Sequence, residues 1–214
     1  VDNVLCVHHD AMHQILSIGK RFPLKKGSVG DPDIYLGAKL RKVTLQNGVH
    51  AWSMSPSKYV QEAVKNVRNY LQEKEPGRPW QKKAPTPFPN DYKPEIDLSP
   101  QLNDEDASYY MSQIGVLRWM VELGRVDLIT EVSMLASQLA CPREGHLQAV
   151  YRIFAYLDNK HNSRMVFDPT YAEIDMSSFK QCDWKEFYGE ATEPLPPNMP
   201  EPRGNEVEVR LYVD

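Results

Sequence analysis

The sequence predicts an α+β fold: small β-hairpins and one short helix come first, a mostly α-helical bundle follows, and a single β-strand closes the chain. Three observations carry that expectation. Asn47-Gly48 lies between two apolar, β-prone runs, a strong hairpin signal because the tight turn it favours needs positive φ at both central residues. Beyond Ser55, apolar residues recur at three- and four-residue spacing in segments separated by proline and glycine, the period of helices with one buried face. Val207-Glu208-Val209-Arg210-Leu211-Tyr212-Val213-Asp214 alternates apolar and polar residues, as a strand with one buried face does. With 214 residues and 41% hydrophobic content, the chain can build a core in one or two domains.

Charge is spread in both signs with a net of -4, which excludes a polybasic nucleic-acid coat. Cys6, Cys141 and Cys182 are far apart, odd in number and without metal-ligand spacing, so a reduced, intracellular compartment is expected. No membrane segment is expected, since the most apolar region is broken by Arg118, Glu122, Arg125 and Asp127. The chain starts at Val1 without a methionine and ends within a strand-like pattern, so it is expected to be a fragment of something longer.

Taken in order, Val1-Asp2-Asn3-Val4-Leu5-Cys6-Val7 reads as a tight turn feeding a buried strand. Asp10 is the expected N-cap of a short helix with Met12, Ile15, Leu16, Gly19 and Phe22 along one side. His8, His9 and His13 lack a carboxylate or cysteine at a fitting interval and read as solvated helix-entry residues rather than a metal cluster. Lys25-Lys26-Gly27-Ser28-Val29-Gly30 lacks the terminal Lys-Ser/Thr of a nucleotide-binding loop and reads as a turn. Ile34-Tyr35-Leu36-Gly37-Ala38-Lys39-Leu40 reads as one strand, in which Gly37 would let another backbone approach closely. Val43-Thr44-Leu45 and Val49-His50-Ala51-Trp52 form the pair around Asn47-Gly48.

Ser55-Pro56 is expected to open a helix, serine capping and proline in the first turn, with Val60, Val64, Val67 and Leu71 buried and Pro76-Gly77 ending it. Pro79, Pro85, Pro87, Pro89 and Pro94 then forbid a helix, predicting an extended and largely exposed linker. Asn103-Asp104-Glu105-Asp106 caps the next helix, whose stripe is Tyr110, Ile114, Leu117 and Val121. After Gly124 a second helix is expected to bury Val126, Ile129, Val132, Ala136 and Leu139; a third, starting at Cys141-Pro142, Leu147, Val150, Phe154 and Leu157. Arg125 and Asp127 suit turn and cap contacts, and His146 an interhelical hydrogen bond. Met165-Val166-Phe167 reads as a short strand, and the aromatic-rich run from Cys182 to Tyr188 suits docking of a tether.

Several of these strings resemble the reverse transcriptase of copia-type LTR retrotransposons. Asp2-Asn3 resembles the end of the family's Tyr-Val-Asp-Asp hairpin, with Asn3 in place of the second aspartate. Tyr35-Leu36-Gly37 is similar to its Phe-Leu-Gly element, and Met54-Ser55-Pro56-Ser57-Lys58-Tyr59-Val60 to its Leu-Ser-Gln-x-Lys-Tyr-Ile segment. Tyr110-Met111-Ser112-Gln113-Ile114-Gly115-Val116-Leu117, Gly124-Arg125-Val126-Asp127-Leu128 and Pro142-Arg143-Glu144-Gly145-His146-Leu147 resemble Tyr-Arg-Ser-Leu-Ile-Gly-Ser-Leu, Thr-Arg-Pro-Asp-Ile and Pro-Thr-x-x-His-Trp, in the same order, with Val126 where the family has proline.

The resemblance implies the rear part of a palm over 1–54, a first thumb helix over 55–75 and a proline-rich linker over 76–102. A helical thumb bundle over 103–160, a tether over 161–205 and the first strand of a ribonuclease H domain over 206–214 follow. It implies RNA-directed DNA synthesis by two-metal phosphoryl transfer in a parent Pol polyprotein, with Mg2+ as cofactor and RNA template and DNA primer as partners. Asp2 and Asp214 would be metal ligands, Asn3 would weaken the first site, and Tyr35, Leu36 and Gly37 would seat the primer end. This chain alone is expected not to polymerise. The alternative is a catalytically dead helical interaction module, or the remnant of a decayed element.

Overall fold

The computed structural model describes residues 4–80, 84–170, 185–189 and 196–199. The chain divides into two compact units, Val1–Thr170 and Tyr171–Asp214. In the second, the described part is a short helix, Lys185–Tyr188, and a turn in which Met199 N–H donates to the Pro196 carbonyl. The expected strand over 206–214 and the opening turn at Asp2-Asn3 lie outside the described residues.

Among its described residues the first unit is α+β, with a four-stranded antiparallel sheet and five α-helices. Helix α1 (Ala11–Gly19) starts as expected, with the Asp10 carboxylate accepting from His13 N–H at 3.1 Å. Its apolar side is not buried, however: Met12, Leu16 and Phe22 are all more than half exposed. Val4 and Val7 are exposed as well, and no strand forms over 4–7. A strand needs a partner for its backbone groups, and the sheet begins only at Ile34.

The sheet runs β1 (Ile34–Tyr35), β2 (Ala38–Thr44), β3 (His50–Ser55) and β4 (Met165–Phe167) in that spatial order. The strand expected over residues 34–40 instead folds back on itself. Leu36 (φ 50°) and Gly37 (φ 91°) form a two-residue turn that pairs Tyr35 with Ala38. Positive φ at both central residues matches the right-handed twist of the flanking strands, as in a type I′ hairpin. Asn47-Gly48 does join two strands, but by another route. Of these two only Gly48 (φ 81°) is left-handed, and Gly48 N–H bonds the Leu45 carbonyl at 3.0 Å while Leu45 N–H bonds the Val49 carbonyl at 2.8 Å. That is a three-residue loop closed by a glycine bulge.

Strand β4, expected within the tether, completes the sheet against β3, with Met54 opposite Met165 and Trp52 opposite Phe167. Leu40, Met54 and Met165 share a face through their pairings. Gly124 lies against that face: a Cβ there would sit 3.5 Å from both Met165 Cβ and Met54 Cε.

Helix α2 (Ser57–Lys74) buries Val60, Val64, Val67 and Leu71 as the spacing predicts. Its cap differs. Ser55 ends β3 and gives its hydroxyl to the Ser163 carbonyl at 2.9 Å, so Pro56 is the N-cap and no side chain caps the helix. Helix α3 (Asp104–Glu122) is capped by Asn103, which accepts from Asp106 N–H at 2.9 Å, and buries Tyr110, Ile114, Leu117 and Met120 rather than Val121. Gly124 (φ 103°) ends it, with Arg125 N–H reaching back to the Met120 carbonyl. One 3-10 turn, Val126–Leu128, then leads into α4 (Ile129–Ala136). The tighter turn advances the chain about 120° per residue instead of about 100°. Leu128, Val132 and Leu135 therefore face the core, and the expected Val126 and Ile129 are exposed. Helix α5 (Glu144–Asn159) buries Leu147, Val150, Phe154 and Leu157 as expected.

The proline-rich stretch is not the exposed linker its composition suggests. Ala84 and Pro94 are buried, and Trp80, Phe88 and Tyr92 pack on the helical core. Proline bars a helix interior but is tolerated in a first turn, as in the single 3-10 turn Pro94–Ile96, and it does not rule out apolar packing. Among the described residues, no helix is long and apolar enough to cross a membrane.

Candidate nucleic-acid interface

Of the residues singled out by sequence, Tyr35, Leu36 and Gly37 form the tip of the first hairpin. Leu36 is 47% exposed and is the only non-glycine residue with positive φ among the described residues. A left-handed leucine costs on the order of 1–2 kcal/mol, so this tip holds local strain. Strand β2 leaves the tip carrying Lys39, Arg41 and Lys42. Lys39 lies 3.7 Å from Asp33, and Lys42 lies 2.6 Å from Asp31 and 5.2 Å from the centre of the Trp52 ring. The loop before β1 thereby partly neutralises these lysines.

Asp2, Asn3 and Asp214 fall outside the described residues. Among the described ones, no group of three or more His, Cys, Asp or Glu side chains could hold a metal ion. His8 makes a helix-entry contact, its Nδ1 accepting from Asp10 N–H at 3.0 Å.

A second polar surface was not anticipated. A cavity of about 410 Å³ opens beside α2, lined by Gln61, Lys65, Arg68 and Gln72 from that helix and by Asp158 and His161 from the end of α5 and the turn after it. The α2 residues follow the same four-three-four spacing as the buried stripe, displaced by one position, so the periodicity that buries one face also aligns the other. Arg68 forms an ion pair with Asp158 through Nη2 and lies 5.0 Å from the centre of the Trp80 ring. Trp80 Nε1–H also reaches Asp158 Oδ2, at 3.4 Å. The Arg68 Nε is buried and has no acceptor among the described residues. Beside them, Ser57 Oγ and His161 Nδ1 are 2.9 Å apart.

The Arg125-Asp127 and Pro142-Arg143-Glu144-Gly145-His146 strings have structural roles. Arg125 is wholly buried and offers Nε and Nη2 to the two Asp127 oxygens at 2.8 and 2.7 Å; Tyr156 donates to Asp127 at 3.0 Å. Burial alone would raise the Asp127 pKa, but these hydrogen bonds and the Arg125 charge hold it below the usual carboxylate range. His146 accepts from Arg143 N–H through Nδ1 at 3.0 Å, so its proton sits on Nε2 and is donated to the Pro94 carbonyl at 2.9 Å. Its partner is the first residue of a short 3-10 helix, Pro94–Ile96, within the proline-rich segment, so the expected interhelical bond forms to that turn rather than within the helical bundle.

Gly145 N–H donates to Ser99 Oγ at 2.8 Å, and a Cβ on Gly145 would meet Asp97 Oδ2 at 1.9 Å. Asp97 in turn accepts from Ser99 N–H at 2.8 Å and from the Tyr92 hydroxyl at 2.9 Å. Desolvation pushes the Asp97 pKa up, but its bonds from Ser99 and Tyr92 outweigh it and bring the value down. These residues latch the proline-rich segment onto the start of α5.

No protein-family model, curated protein or solved structure matches the chain.

Proposed function

We propose that this chain is the rear-palm and thumb portion of an RNA-directed DNA polymerase of the copia-type retrotransposon class, and that the Tyr35-Leu36-Gly37 hairpin seats the end of a DNA primer on an RNA template. The observation that carries the reading is the hairpin tip. A two-residue turn with a strained, exposed leucine stands where the resemblance puts the primer-seating element. Strain held at an exposed tip is a feature of ligand clamps, because a preorganised turn loses little freedom when it binds. A glycine beside it lets a sugar-phosphate backbone come close. The cations of β2 would add attraction for phosphates.

In the parent enzyme the chemistry would be Mg2+-supported phosphoryl transfer, with Asp2 the residue of this chain that the resemblance assigns as a polymerase ligand and Asp214 the one it assigns to ribonuclease H. The part left to this chain's described residues is orientation: the hairpin would fix the primer end, and the pairing of β2 along β3 anchors that hairpin in the sheet. A photo-crosslinker at position 36, on the full 214-residue chain with a recessed RNA–DNA primer–template, tests this. Crosslinks confined to the last few primer nucleotides are expected. Crosslinks spread evenly along the duplex, or none, would contradict the reading.

A second reading, a catalytically dead interaction module or the remnant of a decayed element, is favoured by Asn3 and by the exposed apolar side of α1. Under that reading the same experiment gives no crosslink to nucleic acid.

A further inference from the structure

We propose that the cavity beside α2 is a phosphate-binding site, in which Asp158 is a built-in counter-ion that an incoming phosphate displaces from Arg68. The inference does not depend on the polymerase reading.

Arginine binds oxyanions best through the edge formed by Nε and Nη2, which takes two oxygens at once. At Arg125 both positions on that edge are filled by Asp127. At Arg68 only Nη2 of that edge is filled, by a single oxygen of Asp158, and the buried Nε has no acceptor among the described residues. The fork is half used. A tetrahedral phosphate, with oxygens to spare, can satisfy both positions where this carboxylate satisfies one.

The surroundings suit an exchange. The Arg68 and Asp158 side chains are 40% and 30% exposed, so the pair is in reach of solvent and its partners are replaceable. Trp80 stacks on the guanidinium and would keep it in place once Asp158 swings away. The Trp80 indole N–H, directed at Asp158, would then be free to donate to a phosphate oxygen. Lys65 lines the same cavity and makes no ion pair among the described residues, so release of Asp158 leaves two cations facing the space. Gln61, Asn69 and Gln72 add neutral donors, and the cavity's volume of about 410 Å³ accommodates a phosphate with an attached sugar.

Two sources offer this group, a nucleic-acid backbone and a free phosphate or mononucleotide. Amide NMR titrations with inorganic phosphate, a nucleoside 5′-monophosphate and a single-stranded oligonucleotide separate them, on the wild-type chain and on Asp158→Asn. Asp158→Asn is expected to bind tighter by about fivefold, the scale of freeing one partly exposed ion pair, with shifts centred on residues 61–72 and on Trp80. Arg68→Lys should abolish that gain, because an ammonium has no fork. Glu62→Gln makes the same charge change on an exposed α2 residue that does not line the cavity, and it should leave affinity unchanged. A gain confined to phosphate and the mononucleotide assigns the site to small ligands; a gain that includes the oligonucleotide assigns it to a strand backbone. Equal affinity in wild type and Asp158→Asn for all three probes, or an equal gain from Glu62→Gln, would overturn the proposal. Thermal unfolding of each variant confirms that the fold is intact before titration.

Discussion

Two arginine–aspartate pairs in one small unit behave as opposites. Arg125 and Asp127 are two residues apart in the chain, the guanidinium wholly buried and both acid oxygens engaged. Arg68 and Asp158 are 90 positions apart, partly exposed, and share one oxygen. The first pair sits in the turn that joins α3 to α4, beside the face of the sheet that carries Met54 and Met165. The second borders a cavity. What separates a lock from an exchangeable contact here is burial and the completeness of the fork, not the identity of the residues.

The comparison can be broken at several points. The largest effect is expected from Asp127→Ala, which strands a buried guanidinium. It should cost about 3 kcal/mol, the low end for a broken buried pair because Asp127 is 35% exposed, read as a lowered midpoint in urea unfolding. Next comes His146→Ala, which removes the bond to Pro94 and leaves Arg143 N–H without its acceptor; about 2 kcal/mol is expected by the same measurement. Acid should act on the same two regions. Asp97 and Asp127 have folded pKa values below the usual one, so the unfolded chain takes up protons first as pH falls. The stability they contribute is complete above the ordinary carboxylate value of about 3.9 and is lost as pH drops through the lower folded values. Asp127→Asn should flatten that acid limb of a stability-versus-pH curve. The smallest effect is expected from Asp158→Ala, about 1 kcal/mol, since its ion pair is partly exposed to solvent. A larger loss would mean that this pair, too, is a lock.

How much of this was readable in the sequence follows from what each feature depends on. The stripes Val60-Val64-Val67-Leu71 and Leu147-Val150-Phe154-Leu157 depend on local spacing alone, and both are buried as that spacing predicts. The stripe after Gly124 shifted because one 3-10 turn changes the angle per residue, which composition does not reveal. The hairpin at Leu36-Gly37 was hidden because leucine carries no signal for positive φ, and Asn47-Gly48 announced a turn without fixing its type. The latch of Tyr92, Pro94, Asp97 and Ser99 on the start of α5 joins segments about fifty residues apart, as does the cavity between Arg68 and Asp158 at longer range. Pattern reading along a chain does not see such pairings. The metal-binding residues that the resemblance implies, Asp2 and Asp214, lie outside the described structure.

If the first hairpin seats a primer end as proposed, Leu36→Gly should separate folding from binding. Glycine takes the positive φ without strain, so this variant should fold at least as stably as the wild type while lacking the side chain at the tip. Paired measurements of urea unfolding and of fluorescence-anisotropy affinity for a recessed RNA–DNA primer–template should then diverge, with stability kept and affinity lower by about tenfold. Unchanged affinity in a stably folded Leu36→Gly chain would contradict the account.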